Sequence, residues 1–189
     1  DSKPLWAPNY TLLGYAFHKT GQYKKEEKLY KKAEQDFPND PELIYRQSVL
    51  YLNKGDTDAM TGNINKLRIL LKENSFSEAE IVLNIAKIYA EAGFQERAEE
   101  YFRKALSMDT ESPSILNHLA WFLIDNDRNI REGLDIIEKA IKLKPDNHTF
   151  LYTKGCGLYK QGKYQEAYDI LQVSWDLRRP REGYDHNAF

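Results

Sequence analysis

The sequence lacks most of the features that would place it in a specialised class of protein. It has one cysteine, Cys156, among 189 residues, so it cannot form an internal disulfide. Its formal net charge is -2, from 27 basic and 29 acidic side chains, which leaves no overall basic field to attract nucleic acid. Its uninterrupted apolar runs are only a few residues long, far short of a membrane span. We therefore expect no nucleic-acid partner and no direct insertion into a membrane. The compartment, cytoplasm or periplasm, stays open.

The sequence also lacks a recognisable catalytic or metal-binding pattern. Its four histidines stand far apart, with no pair at helical spacing: His18, His118, His148 and His186. An enzyme site would need His118, Cys156 and Asp125 to converge from different parts of the chain. The stretch DNDRNI beginning at Asp125 imitates a calcium loop, but Ile130 and Ile136 stand where that loop needs glycine and glutamate. We therefore expect no enzyme activity, no metal and no cofactor.

What the sequence does have is an internal repeat. A small residue recurs at separations of 34, 38, 34 and 35 residues, at Gly14, Ser48, Ala86, Ala120 and Gly155. Seven residues after it, four of the five units have glycine, at Gly21, Gly55, Gly93 and Gly162, and the fourth unit has Asp127. A second apolar periodicity of helical type then follows. This pattern predicts repeated pairs of antiparallel helices.

The positions of several residues in the repeat can be explained by their structural roles. The four late glycines are typical of helix C-termini, where the chain takes the left-handed conformation. Asp40-Pro41 and Ser112-Pro113 each combine a helix N-cap with a first-turn proline. The small residue at Gly155 lets two helices approach closely. The pattern offers no physical reason for Gly157.

The signature resembles the tetratricopeptide repeat family. The stretches that carry the resemblance are LLGYAFHKTGQYKKEEKLYKKAEQDFP, IAKIYAEAGFQERAEEYFRKALSMD and GLYKQGKYQEAYDIL. The second unit departs from the family by four extra residues, and the fourth looks like a variant found in bacterial repeat proteins. The resemblance implies an all-α fold of about ten helices in a right-handed superhelical α-solenoid.

The resemblance also sets the expected domain organisation. We expect a single array over residues 1–189, with units at about 7–40, 41–78, 79–112, 113–147 and 148–180 and a tail at 181–189. Neither end carries a full polar capping helix, so we expect the chain to be a fragment of a longer one.

In the resembled family the first helix of each unit lines a concave groove that holds peptides. Carrying those positions over predicts these partner-binding residues: Tyr15, His18, Tyr45, Lys87, Asn117, Trp121, Tyr152 and Tyr159. One subgroup of the family grips acidic chaperone tails with a lysine and an asparagine, but here Thr11 and Tyr15 stand in those places. The clamp is absent, and an extended or helical peptide with apolar anchors fits better.

Two functions remain open on the sequence. The first is a non-catalytic protein-protein interaction module, whose partner is a protein or peptide segment or another domain of the same chain. The alternative is a structural spacer or self-association segment of a larger regulatory or assembly protein. In the alternative, the ends of the array carry the contacts, through Leu5, Trp6, Tyr184 and Phe189.

Overall fold

The computed structural model describes residues 6–178. Within this range the chain forms ten α-helices and no strands, which confirms the expected all-α fold of paired helices. The helices are α1 (Ala7–Lys19), α2 (Tyr23–Asp36), α3 (Pro41–Lys54), α4 (Thr57–Glu73), α5 (Glu78–Glu91), α6 (Gln95–Met108), α7 (Pro113–Asp125), α8 (Ile130–Leu143), α9 (His148–Lys160) and α10 (Tyr164–Arg178). Of the residues invoked for self-association, Trp6 is 72% exposed, and Leu5, Tyr184 and Phe189 lie outside the described residues, as does the 181–189 tail.

The chain divides into two compact units, with the boundary between Tyr101 and Phe102 inside α6. In the N-terminal unit, α1 pairs with α2 and α3 pairs with α4, and α3 also packs on α1, α2 and α5. In the C-terminal unit, α7 pairs with α8 and α9 pairs with α10, and α9 also packs on α7 and α8. Within each unit, a helix pair therefore packs on its sequence neighbour, as in repeat proteins.

The predicted start and stop signals of the helices are confirmed. The Asp40 side chain accepts a hydrogen bond from the backbone N–H of Leu43 at 2.7 Å, and Ser112 caps α7 through the N–H of Ile115. The four late glycines all have left-handed backbone, with φ of 68° at Gly21, 73° at Gly55, 85° at Gly93 and 78° at Gly162. Asp127 takes the same conformation in the fourth repeat, with φ of 54°. The helix ends are thus set by local chemistry.

Helix α3 is the most deeply packed element of the N-terminal unit. One hydrophobic cluster joins it to α1 and α2, through Tyr10, Tyr30, Ala33, Leu43 and Leu50. A second cluster joins it to α4 and α5, through residues that include Ile44, Val49, Leu67, Ile81 and Ile85. Because α3 contributes apolar side chains to both clusters, little of its surface is left for polar side chains. The few polar side chains that α3 does carry therefore have little freedom to take other positions.

The small residues of the repeat mark places where two helices touch closely. A Cβ added to Gly14 would lie 2.2 Å from the Tyr30 ring on α2, and one added to Gly155 would lie 2.5 Å from Leu171 Cγ on α10. Gly157, which the repeat pattern left unexplained, is also a position of close helix packing. A Cβ there would lie 2.7 Å from Leu134 Cδ2 on α8, in the preceding helix pair.

Replacing Gly14 with alanine tests this close packing. We expect Gly14→Ala to lower the free energy of unfolding by about 1–3 kcal/mol, because the buried Tyr30 ring occupies the space of the new methyl group. Gly62→Ala is the matched control, since Gly62 lies inside α4 with nothing within 4 Å of an added Cβ. It should raise stability by up to about 1 kcal/mol through helix propensity alone. Urea unfolding measures both, and equal effects of the two substitutions would contradict the packing argument.

Candidate functional site

All eight predicted binding residues lie on the first helices of the pairs, α1, α3, α5, α7 and α9. The N-terminal unit holds Tyr15, His18, Tyr45 and Lys87, and the C-terminal unit holds Asn117, Trp121, Tyr152 and Tyr159. The two groups differ in chemistry. The first is built around charges and the second around aromatic rings.

In the N-terminal unit the organising residue is Arg46, which the sequence reasoning missed. Its guanidinium carbon lies 5.2 Å from the centroid of the Tyr15 ring and 5.4 Å from that of Tyr45. Its Nε donates to Glu42 Oε1 at 2.7 Å, and its Nη1 donates to Glu91 Oε1. These five residues, Tyr15, Glu42, Tyr45, Arg46 and Glu91, are called the Arg46 cluster below. The i,i+4 spacing of Glu42 and Arg46 is the one signal in the sequence that could have pointed to it.

The two tyrosines of the Arg46 cluster differ in exposure. Tyr15 is 38% exposed, whereas Tyr45 is 9% exposed and donates its hydroxyl hydrogen bond to Glu91 Oε2 at 2.9 Å. Burial, together with the nearby Glu91 carboxylate, raises the pKa of Tyr45, so its hydroxyl stays protonated as a donor. Two lysines extend the cluster, with Lys19 Nζ 5.2 Å from the Tyr15 ring centroid and Lys87 Nζ 5.9 Å from that of Tyr45.

Two depressions border Arg46. The Leu12 depression, of about 470 Å³, is lined by Pro8, Thr11, Leu12, Tyr15 and Arg46. The Lys87 depression, of about 260 Å³, is lined by residues that include Pro41, Tyr45, Arg46, Asn84, Lys87 and Glu91. Leu12 is 70% exposed, so the first depression presents apolar surface to solvent. Arg46 is common to both and separates an apolar site from a charged one.

His18 faces inward, and its contacts are internal. Its Nδ1 lies 3.0 Å from Glu26 Oε2, its Nε2 lies 3.2 Å from Asn53 Nδ2, and its side chain is 11% exposed. This pattern fits a neutral imidazole that donates to Glu26 and accepts from Asn53. Burial lowers the pKa of His18, which favours the neutral form, and burial of Glu26 raises its pKa to about 7. The group links α1, α2 and α3, and it leaves His18 little surface for a partner.

In the C-terminal unit, Trp121 and Tyr152 form a stacked pair. Their ring centroids are 5.8 Å apart and the rings are inclined by 27°. Tyr152 is 49% exposed and Trp121 is half-buried. Tyr152 also borders a depression of about 490 Å³ between α9 and α10, lined in part by Leu171 and Trp175. The Trp121–Tyr152 stack is thus a rigid aromatic surface beside an apolar recess.

The other two predicted residues of this unit lie on either side of the stack along the helices. Tyr159 is 62% exposed, with its ring centroid 5.4 Å from that of Tyr164 on α10. Asn117 is buried, and its Oδ1 accepts a hydrogen bond from Thr153 Oγ1 at 2.8 Å. Asn117 therefore joins α7 to α9, a structural role that leaves it little surface for a partner. Thr153 was not predicted, and no pattern in the sequence marks it.

The turn that imitates a calcium loop is closed by a lysine. Lys160 Nζ donates to the backbone oxygen of Asp125 at 2.8 Å and to Asp127 Oδ1 at 2.9 Å, while Asn129 caps the start of α8. Across residues 6–178, no group of three or more histidine, cysteine, aspartate or glutamate side chains is arranged to hold a metal ion. None of the helices in that range is both long and apolar enough to cross a membrane.

Comparison with known proteins finds a repeat family and related sequences that are similar to this chain. Residues 7–35 and 79–112 match the family model of the tetratricopeptide repeat. The photosystem I assembly protein Ycf3 of Synechococcus sp. strain CC9605 is 30% identical over 119 residues, which cover 56% of this chain and 68% of that protein. The Ycf3 protein of Prochlorococcus marinus strain CCMP1986 is 26% identical over 132 residues, which cover 70% of this chain and 74% of that protein.

Solved structures with the same fold are also found. YrrB, described as a tetratricopeptide repeat protein with an unusual peptide-binding site, superposes with a TM-score of 0.53 at 13% identity, over 92% of this chain and 87% of its own. MamA from Desulfovibrio magneticus superposes with a TM-score of 0.54 at 15% identity, over 94% of this chain and 97% of its own. At such identities the likeness shows the fold alone.

The buried Glu26 makes the stability of the N-terminal unit depend on pH. Its pKa is raised from 4.5 to about 7, so the stability that its protonated form contributes is complete below about pH 4.5 and is lost as the pH rises through 7. The lowered pKa of His18 acts in the opposite direction, because the stability that its neutral form contributes is lost as the pH falls below 6.5. Glu26→Gln removes the first effect, and its amide oxygen can still accept the hydrogen bond from His18 Nδ1. The unfolding free energy of the variant, relative to wild type, should therefore rise by about 3 kcal/mol between pH 4.5 and pH 7. Thermal and urea unfolding at several pH values measure the difference, and a constant difference would show that Glu26 ionises normally.

Proposed function

Because the chain belongs to the tetratricopeptide repeat family, we propose that it is a non-catalytic protein-interaction module. It holds a segment of a partner protein against side chains of the first helices, the helices that line the binding groove in this family. Specificity then depends on which side chains the first helices leave exposed, because the paired second helices supply the support.

The observation that carries this proposal is the Trp121–Tyr152 stack. Tryptophan and tyrosine dominate the energy of protein interfaces because they combine a large apolar area with a hydrogen-bonding edge. The two rings hold each other in place at 5.8 Å, so a partner loses less conformational freedom when it binds them. The recess beside Tyr152 can accept an apolar side chain of the partner.

The relatives support a role in assembly. Ycf3 is named for the assembly of photosystem I. We extend only the general role to this chain, as a module that holds a protein segment while a complex forms. An assembly role favours the interaction module over the structural spacer. The identity of the complex and the compartment stay open.

The contacts of the candidate catalytic residues support a non-catalytic role. Burial raises the pKa of the Cys156 thiol, and this outweighs the hydrogen bond from Tyr152 that lowers it. Nucleophilic cysteines need the opposite shift, since the thiolate is the reactive form. His118 Nδ1 lies within hydrogen-bonding distance, 2.8 Å, of the backbone oxygen of Ser114 on its own helix.

Removing the stack tests the proposed function. The double variant Trp121→Ala/Tyr152→Ala should bind a partner at least about tenfold more weakly, because two central aromatic anchors are lost. Tyr168→Ala is the matched control, since Tyr168 is a 64% exposed tyrosine on the second helix α10. Affinity capture from the native organism with quantitative mass spectrometry identifies the partners, and calorimetry with a purified partner gives the affinities. Equal binding by the double variant and the control would rule out the stack as the binding surface.

Thiol reactivity tests the non-catalytic assignment. We expect Cys156 in the folded chain to react with Ellman's reagent near neutral pH at least about tenfold more slowly than in the urea-unfolded chain, because its pKa is raised and it is half-buried. The reaction is followed by absorbance. A folded-state rate above that of the unfolded chain would reveal an activated thiol and reopen an enzymatic role.

A further inference from the structure

We propose that the Trp121–Tyr152 stack and the Asp125 carboxylate together bind a basic side chain, lysine or arginine, of the partner segment. The cationic group lies against the rings and pairs with Asp125, while an apolar side chain of the same segment enters the recess between α9 and α10. This inference rests on the proposed function and names the chemistry of the partner at the C-terminal unit.

The stack and Asp125 lie side by side on neighbouring first helices. Asp125 stands four residues after Trp121 on α7, so the two side chains share one face of that helix. Asp125 is exposed, and Tyr152 is 49% exposed. Lys160 Nζ donates to the backbone oxygen of Asp125 at 2.8 Å, so the end of α7 lies beside the end of α9. The exposed rings and the carboxylate therefore face solvent as neighbours.

The negative charge of Asp125 acts on the stack itself. The pKa of Tyr152 is raised first by its hydrogen bond with Cys156, and the charge of Asp125 adds to that shift. Burial raises the pKa of Cys156, and the charge of Asp125 again adds to the shift. The carboxylate is therefore close enough to Tyr152 and Cys156 to disfavour a second negative charge there. The same field favours a positive charge.

The other charged side chains of α7 and α9, apart from histidine, are already paired. Lys154 Nζ lies 2.6 Å from Glu138 Oε1, and Lys160 Nζ lies 2.9 Å from Asp127 Oδ1, so each lysine has a carboxylate of its own. Asp125 is the one acidic residue in these two helices, and across residues 6–178 its carboxylate forms no ion pair. The charge left unbalanced beside the rings is therefore negative.

Two arginines of this unit do not supply the missing cation. Arg128, in the turn after α7, has a contact of its own. Arg178 lines the recess at the start of α9, whereas Asp125 lies beside Lys160 at the end of α9. Because α9 has 13 residues, its two ends are roughly 20 Å apart. Tyr152 thus lies between an apolar recess on one side and a negative site on the other.

A basic side chain matches both parts of the negative site. A cation over the face of a tryptophan or tyrosine ring is attracted by the negative charge of that face. The guanidinium of arginine can lie flat on a ring while its N–H groups donate to a carboxylate, and the ammonium of lysine can make the same two contacts as a point charge. An acidic segment would instead place a like charge beside Asp125.

A random peptide library tests the inference while the partner is still unidentified. Phage-displayed peptides of about twelve residues are selected on the immobilised full chain, and enriched sequences are synthesised with a fluorescent label. We expect lysine or arginine to be enriched over the unselected library, together with a large apolar side chain. Binding measured by fluorescence anisotropy should weaken as salt is raised, because Asp125 is exposed and its ion pair is screened.

A variant of the carboxylate then locates the site. Asp125→Asn should weaken binding of the enriched peptides about fivefold, whereas the control Asp169→Asn, at an exposed aspartate of the second helix α10, should leave it within about twofold. Asp125 is the last residue of α7, where a carboxylate does not stabilise the helix, so asparagine retains the fold and thermal unfolding verifies this. Basic peptides that bind Asp125→Asn as well as wild type would overturn the assignment.

A neutral peptide shows whether the basic residue meets Asp125 directly. Citrulline replaces an enriched arginine, or acetyl-lysine an enriched lysine, so that the length of the side chain is kept and its charge is removed. The change should weaken binding to wild type about tenfold and binding to Asp125→Asn only about twofold, because the two changes remove the same ion pair. An equal loss with both proteins would overturn the pairing.

The outcomes separate this inference from the proposed function. Enriched peptides without basic residues, whose binding survives Asp125→Asn but is lost in Trp121→Ala/Tyr152→Ala, would overturn the inference and leave the interaction module standing. A library from which no peptide is enriched would contradict both.

Discussion

The close approach of two helices at one small residue is the constraint on which the rest of this structure depends. At Gly14 the ring of Tyr30 occupies the space of a Cβ, and at Gly155 the side chain of Leu171 does the same. Once the small residue faces the paired helix, the direction of every other side chain on the first helix is determined by the 3.6-residue period. The binding surface is thus a consequence of the packing register. Tyr15, one residue after Gly14, is exposed for the same reason that Gly14 is buried.

That register could be predicted from the sequence, but contacts between neighbouring repeats could not. The repeat pattern predicted the helix pairs, the left-handed glycines and the role of Gly155, because each depends on residues within one repeat. The role of Gly157 could not be predicted because the side chain that it packs against, Leu134, belongs to the second helix of the preceding repeat. The Arg46 cluster could not be predicted for the same reason, since Arg46 and Glu91 are 45 residues apart in the sequence. A single sequence indicates the period of a repeat and gives no direct sign of pairs between repeats.

The same geometry explains why the predicted binding residues divide into exposed and internal ones. At 100° per residue, positions four after and three before the small residue lie about 40° and 60° from the direction of the paired helix, and the position one after it lies about 100° away. His18 and Asn117 occupy the nearer positions, where they meet Asn53 and Thr153 of the next repeat. Tyr152 occupies such a position as well, but it is exposed, since the described residues contain no helix pair after α10 to cover it.

The internal and the surface charges of the N-terminal unit belong to one electrostatic system. The charges of Arg46 and Glu91 act on both His18 and Glu26, even though the surface cluster and the buried pair share no hydrogen bond among those described. Because the effect of one charge on another is mutual, the protonation of Glu26 alters the field at Arg46 as much as Arg46 alters the pKa of Glu26. Glu26 has a pKa of about 7, so this buried carboxyl is divided between its charged and neutral forms near neutral pH. The electrostatic potential at the Arg46 cluster therefore depends partly on the protonation of a buried residue.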